Sequence, residues 1–299
     1  MIAGIEMDIA GCFPGDYRQS QARFIESATA AGGKLSSYPN PNKGPYGEDL
    51  ATDVAWFGGD DARNVLVLVC STHGVEGFCG AGAQVDWIKT GCAGLESSDQ
   101  AVLLVHAINP HGYAWLRRTT EEGVDLNRNC ILFENGLPEN RDYDTLADAF
   151  LPKARDQATL DAAQATLDAF RAEKGNLAFN MARSSGQYTH PEGFFYGGSG
   201  PTWSLSIIGR ICADFRLAER DGVAIVDYHT GLGSYGHGEP ICGQKPGTSG
   251  QARCRSWYGP SLGEPLLGKS SSVPIAGLTQ YAWARDIHFN TSNHSDHPC

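Results

Sequence analysis

Residues 64–70 spell NVLVLVC, an uninterrupted row of aliphatic side chains behind one asparagine. Such a row, without polar alternation, is typical of a strand buried on both faces of a parallel sheet. Two further runs have the same character, AVLLVHAI at residues 101–108 and GVAIVDY at residues 222–228. These three runs are the predicted central strands of the fold.

Segments with helical spacing of apolar residues alternate with these runs. The predicted helices are Asp16–Ala31, Gly80–Lys89, Tyr143–Gly175 (as one long helix or two shorter ones) and Pro201–Glu219. Strands that alternate with helices predict an α/β fold with a mixed, mainly parallel central sheet flanked by helices. We expect a single domain over residues 1–299, since no linker or repeat divides the chain.

Three stretches lack this regularity. Lys34–Tyr46 is rich in Pro, Gly, Asn and Ser, which predicts a loop. The chain after Gly231 shows no assignable pattern, and the Asn-, Ser- and His-rich end, Phe289–Cys299, predicts neither strand nor helix.

Composition excludes several classes of function. The formal charge is −11, from 23 basic and 34 acidic side chains, which argues against a nucleic acid or an anionic membrane as partner. No apolar run approaches the roughly 18 residues of a membrane helix, and the first residues lack the pattern of a signal peptide. The nine cysteines form no C-x-x-C pair, so we expect reduced thiols and a cytoplasmic location.

Polar motifs follow all three predicted strands, where α/β sheets bind their ligands. The first strand leads into STHGVEG at residues 71–77, and the third ends in DYHTG at residues 227–231. His73 and Glu76 are three residues apart in a glycine-flanked turn, a spacing that lets both side chains reach one ion. With His229 they make two histidines and one carboxylate, the ligand set of a hydrolytic zinc site.

A second group of candidates follows the middle strand. Arg128 offers a planar fork for a substrate carboxylate, and Asn127 adds a hydrogen bond. Arg118, or its neighbour Arg117, could stabilise an oxyanion. Taken alone, Asp125–Arg128 is equally consistent with a solvated surface loop.

The motifs HGVE, NPHG, RR, DLNRN and DYHTG, in this order, resemble the zinc carboxypeptidases of the carboxypeptidase A superfamily. The similarity is greatest to a bacterial carboxypeptidase-like branch related to succinylglutamate desuccinylase and aspartoacylase. It extends from residue 16 to residue 238, and more weakly to residue 272. The resemblance implies one Zn²⁺ ion, bound by His73, Glu76 and His229.

The same resemblance implies roles for the second group. Asn127 and Arg128 would hold the terminal carboxylate of the substrate. Arg118 would polarise the scissile carbonyl, and counting back from Asp125 favours it over Arg117. Asp125 would orient the first zinc-binding histidine through a carboxylate–histidine–zinc arrangement.

These roles imply a metallocarboxypeptidase-like hydrolase that cleaves a peptide or amide bond next to a free carboxylate. Its substrate would be a small peptide or an acyl-amino acid. One alternative is an N-acyl amino acid deacylase of the succinylglutamate desuccinylase/aspartoacylase type. Another is a zinc-containing carboxylate-binding protein with little or no turnover.

The last alternative arises because no glutamate is assigned as the general base. In the family, this glutamate lies on a late strand, after the third zinc ligand. Only Glu239 and Glu264 follow His229 here, each beside proline in glycine-rich sequence typical of loops, and neither is assigned as the base. We therefore expect a C-terminal end that is truncated or divergent and lacks the family's last strand.

Overall fold

The computed structural model of the chain describes residues 9–95 and 98–288. The strands are β1 (Lys34–Lys43), β2 (Asp49–Phe57), β3 (Asn64–Cys70), β4 (Gln100–His106) and β5 (Gly222–Tyr228). The helices are α1 (Tyr17–Ala30), α2 (Gly77–Gly91), α3 (Pro110–Ala114), α4 (Leu126–Asn129), α5 (Arg141–Phe150), α6 (Gln157–Ser184), α7 (Trp203–Asp214), α8 (Ser249–Tyr258) and α9 (Thr279–His288). The predicted end segment, Phe289–Cys299, lies outside the described residues.

The chain divides into two compact units. Of the described residues, the first contains those up to 122, residues 202–230 and residues 281–288, and it includes strands β1 to β5. The second contains residues 123–201 and 231–280 and is built from helices and loops. The predicted single domain over residues 1–299 stays a prediction.

One five-stranded sheet, in the order β1-β2-β4-β3-β5, forms the centre of the first unit. Strand β3 pairs in parallel with β4 on one side and with β5 on the other. Strand β2 pairs antiparallel with both β1 and β4. This arrangement confirms the predicted α/β class with a mixed sheet flanked by helices.

Helices cover both faces of the sheet, as two adjacent residues of β2 illustrate. Successive side chains of a strand point to opposite faces. The ring of Phe57 contacts that of Trp87 in α2, with centroids 5.7 Å apart. The ring of Trp56 stacks on Phe215, just beyond α7, also at 5.7 Å. Burial on both faces explains why β3 and β4 are almost purely apolar.

The predicted loop at Lys34–Tyr46 is wrong, because this stretch contains strand β1. Strand β1 lies at the edge of the sheet and pairs with β2 alone. Proline is tolerated on an edge strand because one side of the backbone needs no donor. The register shifts between Pro39 and Lys43, so the proline-containing part departs from regular pairing. Strand β2 itself had no predicted counterpart.

The other predicted helices and strands are present, with ends shifted by a few residues. However, β5, predicted as a buried strand, lies at an edge of the sheet and is only half-buried. Tyr143–Gly175 resolves into two helices, α5 and the beginning of α6. In the unassigned region after Gly231, the structure adds α8 and α9. Among the described residues, no helix has both the length and the apolar character needed to cross a bilayer.

The second unit has a hydrophobic cluster of its own between α5 and α6. Tyr143, Leu146 and Phe150 of α5 are buried in it. Phe170 and Phe179 of α6 complete the cluster from the other side. The amphipathic pattern of the predicted helical region therefore reflects packing of these two helices on each other.

His106 ends β4 inside the first unit and is completely buried. Its Nε2 lies 2.7 Å from Ser20 Oγ, and its ring stacks on Phe24 with centroids 4.9 Å apart. Burial disfavours the charged imidazolium and lowers the pKa of His106 to about 4, although the charge of Asp53 acts in the opposite direction. The imidazole is therefore neutral in the folded protein at neutral pH.

We expect His106 to make the protein less stable as the pH falls. Its pKa is about 4 in the folded state, against 6.5 for an unperturbed histidine, so the unfolded chain takes up the proton first. The contribution of the neutral His106 to the free energy of unfolding is fully present above pH 6.5 and is lost as the pH falls towards 4. The full loss is on the order of 3 kcal/mol, at about 1.4 kcal/mol per pKa unit.

Urea unfolding of the wild type and of His106→Gln between pH 7.5 and 4.5 measures this effect. The glutamine amide can keep the contact with Ser20 but does not titrate. The free energy of unfolding of His106→Gln should therefore depend less on pH than that of the wild type. Substitution of the exposed His237 by Asn is the control and should leave the slope unchanged. Equal slopes of the free energy of unfolding against pH in the wild type and His106→Gln would contradict the lowered pKa of His106.

Candidate metal centre

The parallel pairing of β3 with β5 brings two of the sequence motifs to one edge of the sheet. Val69 is the register partner of Asp227, and Cys70 that of Tyr228. Because the two strands run in the same direction and end together, the chain leaves both at the same edge. The predicted ligands follow directly, His73 after β3 and His229 after β5.

His73, Glu76 and His229 converge in the first unit. Each offers one ligand atom, and these atoms all lie within 4.8 Å of one another. The carboxylate of Glu76 bridges the two histidines, with Oε1 2.9 Å from His73 Nδ1 and Oε2 3.1 Å from His229 Nδ1. In the described part of the chain, no other group of three His, Cys, Asp or Glu side chains converges in this way.

The donor set fits one divalent ion of the zinc type. Zinc accepts imidazole nitrogens and carboxylate oxygens as ligands, and the Nδ1 atoms of both histidines face the same carboxylate. The side chains of His73 and Glu76 are only 5% and 10% exposed, whereas His229 is 32% exposed. The set is therefore buried on one side and open to solvent on the other.

Close contact between two glycines fixes the loop that carries His73 and Glu76. A Cβ atom on Gly74 would lie only 1.9 Å from the carbonyl carbon of Gly112, so no side chain fits there. The amide of Val75 donates to the carbonyl of Arg117 at 3.2 Å. The glycines of HGVE and NPHG thus allow the two loops to pack backbone against backbone.

Mutual attraction shifts the pKa values of Glu76 and His229. Burial by itself would raise the pKa of Glu76, but hydrogen bonds from His229 and His73 outweigh it and hold that pKa well below its usual range. Burial would lower the pKa of His229, but Asp227 and Glu76 raise it to about 10. A metal ion must displace the proton on His229 at neutral pH, so metal affinity should increase with pH.

Arg118 lies beside this group. Its Nη1 atom is 3.6 Å from Glu76 Oε1, and its side chain is 39% exposed. Arg117 is exposed, and its carbonyl oxygen accepts the hydrogen bond from Val75. The structure therefore places the guanidinium of Arg118 next to the candidate ligands, while its predicted effect on a scissile carbonyl stays a prediction.

Asp125, Asn127 and Arg128 belong to the second unit, at α4. Asp125 Oδ1 accepts a hydrogen bond from the amide of Asn127 at 3.0 Å and caps this short helix. Arg128 is buried: its Nε and Nη2 donate to the carbonyl of Ser184, and its Nη1 donates to the carbonyl of Asn127. The predicted roles of the three residues stay predictions.

The two glutamates that follow His229 in the sequence also belong to the second unit. Glu264 accepts hydrogen bonds from Gln251 at 2.5 Å and from Arg255 at 3.0 Å. Glu239 accepts from the amide and the hydroxyl of Ser271. Both carboxylates are engaged in local contacts of their own loops.

Three residues around the candidate ligands had no predicted role. The hydroxyl of Thr72 donates to the carboxylate of Asp227, and the amide of Thr230 donates to Glu76 Oε2 at 2.9 Å. All three lie within the quoted motifs, THGVE and DYHTG. Their positions next to the proposed ligands in sequence were the available signal, but only the strand register shows what they contact.

We expect Gly74→Ala to destabilise the protein and to weaken binding of zinc, the ion expected from the sequence. The added methyl group must push the two loops apart, and overpacking of this kind costs about 1–3 kcal/mol. Urea unfolding and zinc titration measure the two effects. Gly59→Ala is the matched control, because a Cβ there meets nothing within 4 Å. Wild-type behaviour of Gly74→Ala would contradict the glycine contact.

Solved structures give only weak similarity. Carboxypeptidase A from Helicoverpa armigera is 14% identical, over 91% of this chain and 62% of its own, with a TM-score of 0.47. This chain thus spans less than two thirds of that carboxypeptidase. A Zn-dependent exopeptidase from Parabacteroides distasonis is 9% identical, over 95% of this chain and 94% of its own, with a TM-score of 0.26.

A third structure comes from Shewanella frigidimarina and is provisionally described as a succinylglutamate desuccinylase/aspartoacylase. It is 17% identical over 87% of this chain and 70% of its own, with a TM-score of 0.33. At these identities and TM-scores, similarity assigns no activity to this chain.

Sequence comparison identifies the family. The curated protein sequences give no match. The family described as "Protein of unknown function (DUF2817)" matches residues 13–294, nearly the whole chain. The chain therefore belongs to the DUF2817 family.

Proposed function

We propose that this protein is a zinc-dependent hydrolase that cleaves a peptide or amide bond next to a free carboxylate. One observation carries the proposal: two imidazole nitrogens and one carboxylate, from His73, His229 and Glu76, lie within 4.8 Å of one another. Structural zinc sites are closed by four protein ligands, whereas catalytic sites have three and keep one position for water or substrate. Three ligands with an open side favour the catalytic kind.

When bound, zinc would polarise the substrate carbonyl and lower the pKa of a bound water to about 7. His73, His229 and Glu76 would hold the ion, and the amide of Thr230 keeps one oxygen of Glu76 in place. Arg118 carries a permanent positive charge beside them. That charge would stabilise the oxyanion that develops as the carbonyl is attacked.

We assign recognition of the substrate carboxylate to Asn127 and Arg128. A guanidinium matches a carboxylate in shape and charge and can donate two parallel hydrogen bonds. Arg128 already donates to the carbonyls of Ser184 and Asn127, so its fork is held in a fixed orientation. A substrate carboxylate would have to compete with these carbonyls and with the carboxylate of Asp125, whose Oδ1 lies 4.0 Å from Nη1. Its full negative charge gives it an advantage over the neutral carbonyls.

A second candidate function is a zinc-containing carboxylate-binding protein with little turnover. The engaged glutamates favour it: Glu264 is held by Arg255 and Gln251, and Glu239 by Ser271. Neither is assigned as the group that moves protons. Loss of a general base typically costs about 10²–10⁴ in rate.

The experiment that separates these functions combines metal analysis with a substrate panel. The purified protein is assayed for zinc and then offered short peptides and N-acyl amino acids, with product release followed by chromatography. Release of the C-terminal residue from peptides supports the carboxypeptidase-like reaction, and turnover of N-acyl amino acids alone supports a deacylase. Substrate binding without turnover supports the carboxylate-binding protein. Each active peptide is also tested as its C-terminal amide, which should not be cleaved.

We expect His73→Ala to abolish stoichiometric zinc binding, because two ligands cannot hold the ion tightly. Zinc per chain is measured by elemental analysis after dialysis against micromolar metal. His190→Ala is the control, since that histidine contacts Asp144 in the second unit and should leave zinc content unchanged. Full zinc content in His73→Ala would mean that the ligand set is wrong.

Arg128→Lys should leave zinc content unchanged but weaken substrate binding. Lysine keeps the charge and loses the two-pronged geometry, and hydrogen bonds to charged groups contribute about 1.5–3 kcal/mol. We therefore expect kcat/KM to fall about 10- to 100-fold, mostly through KM. If the protein binds carboxylates without turnover, Arg128→Lys should instead raise the Kd for the carboxylate ligand. Arg171→Lys is the control, because Arg171 is half-exposed and pairs with Asp168 in the second unit. An unchanged KM in Arg128→Lys would remove Arg128 from the binding site.

A further inference from the structure

A row of hydrogen bonds lies behind the candidate zinc ligands. The hydroxyl of Thr72 donates to Asp227, at 3.0 Å from Oδ1 and 2.8 Å from Oδ2. Asp227 Oδ2 in turn lies 3.1 Å from His229 Nε2. We infer that Asp227, anchored by Thr72, is a positioning residue that orients His229 towards the metal. The inference rests on the proposed metal site.

The two nitrogens of His229 face different carboxylates, and this separates their roles. Nε2 faces Asp227, whereas Nδ1 lies 3.1 Å from Oε2 of Glu76, which is itself a proposed metal ligand. A neutral imidazole carries its proton on one nitrogen and a lone pair on the other. A carboxylate at Nε2 would keep the proton there, and the lone pair of Nδ1 would then be available to bind a metal. The same carboxylate increases the basicity of the ligand.

The strand geometry explains why Asp227 reaches this position. Asp227 is the second-to-last residue of β5, and His229 follows immediately after the strand ends. The carboxylate of Asp227 therefore comes from the rigid end of the strand, close in sequence to the ring that it contacts. Its register partner is Val69 on β3, so the segment after β3 passes close by.

Thr72 supplies the anchor from that segment. It is completely buried, and the next residue in the chain is His73, another proposed ligand. A largely buried carboxylate such as that of Asp227 is costly unless hydrogen bonds satisfy its oxygens, and the Thr72 hydroxyl reaches both of them. One short stretch of chain thus carries a ligand and also fixes the carboxylate that orients another ligand.

Zinc affinity of the metal-free protein tests the inference without any activity assay. Binding is measured by competition with a chromophoric chelator for the wild type, Asp227→Asn and Thr72→Val. An asparagine amide can turn its NH₂ group to Nε2, which favours the tautomer whose Nδ1 is blocked by a proton. We expect Asp227→Asn to bind zinc about 10- to 100-fold more weakly. Thr72→Val should lose less, and Thr72→Ser should retain wild-type affinity.

Cobalt substitution adds a readout that a merely structural role would not change. The visible spectrum of bound Co²⁺ should shift in Asp227→Asn and Thr72→Val, because the His229 ligand is altered. Asp221→Asn is the matched control, since Asp221 immediately precedes the same strand and pairs with Arg63 on the surface. Its affinity and spectrum should match the wild type.

The outcomes separate this inference from the proposed function. Wild-type zinc affinity and an unchanged cobalt spectrum in Asp227→Asn would overturn the role of Asp227 and leave the metal site intact. A wild-type protein that binds no zinc would overturn both. If Asp227→Asn fails to fold, Thr72→Val decides: weaker binding with a shifted spectrum supports the inference, and wild-type binding overturns it.

Discussion

The candidate site depends on the parallel, in-register pairing of β3 with β5. Val69 opposite Asp227 and Cys70 opposite Tyr228 make the two strands end together. A shift of one residue would turn the side chains of β5 to the other face and separate Asp227 and His229 from their partners. The aliphatic row of β3 is buried almost throughout and packs into the core of the first unit. The same apolar segment therefore forms the core and places the chemically active residues.

Electrostatic attraction then holds together the side chains that the strands bring close to one another. The carboxylate of Glu76 accepts hydrogen bonds from His73, His229 and the amide of Thr230, and Arg118 lies beside it. Without a metal, a proton on His229 offsets the negative charge of Glu76 and Asp227, and the pKa of His229 is raised to about 10. A divalent ion would take over the role of that proton. The tight packing of Gly74 on Gly112 fits this account, because ligands hold one ion well only when their backbone is fixed.

Strands buried on both faces could be predicted from the sequence, because a short, continuous apolar run between turn residues is typical of them. Strand β1 could not, since an edge strand tolerates the prolines that are otherwise typical of loops. The trio of His73, Glu76 and His229 was predictable from motifs at strand ends. The contact of Asp227 with His229 and Thr72 was not, because it depends on the register. Nor was the burial of Arg128, since arginine is usually exposed and only the fold shows the carbonyls that pair with it.

Anomalous X-ray diffraction at the zinc edge, from crystals of the zinc-loaded protein, tests the central claim most directly. The claim predicts one strong peak per chain, about 2.0–2.2 Å from Nδ1 of His73, Nδ1 of His229 and an oxygen of Glu76. A fourth position should be taken by solvent or a small ligand. A peak bound by other residues, or no peak in protein shown to be folded, would contradict the account.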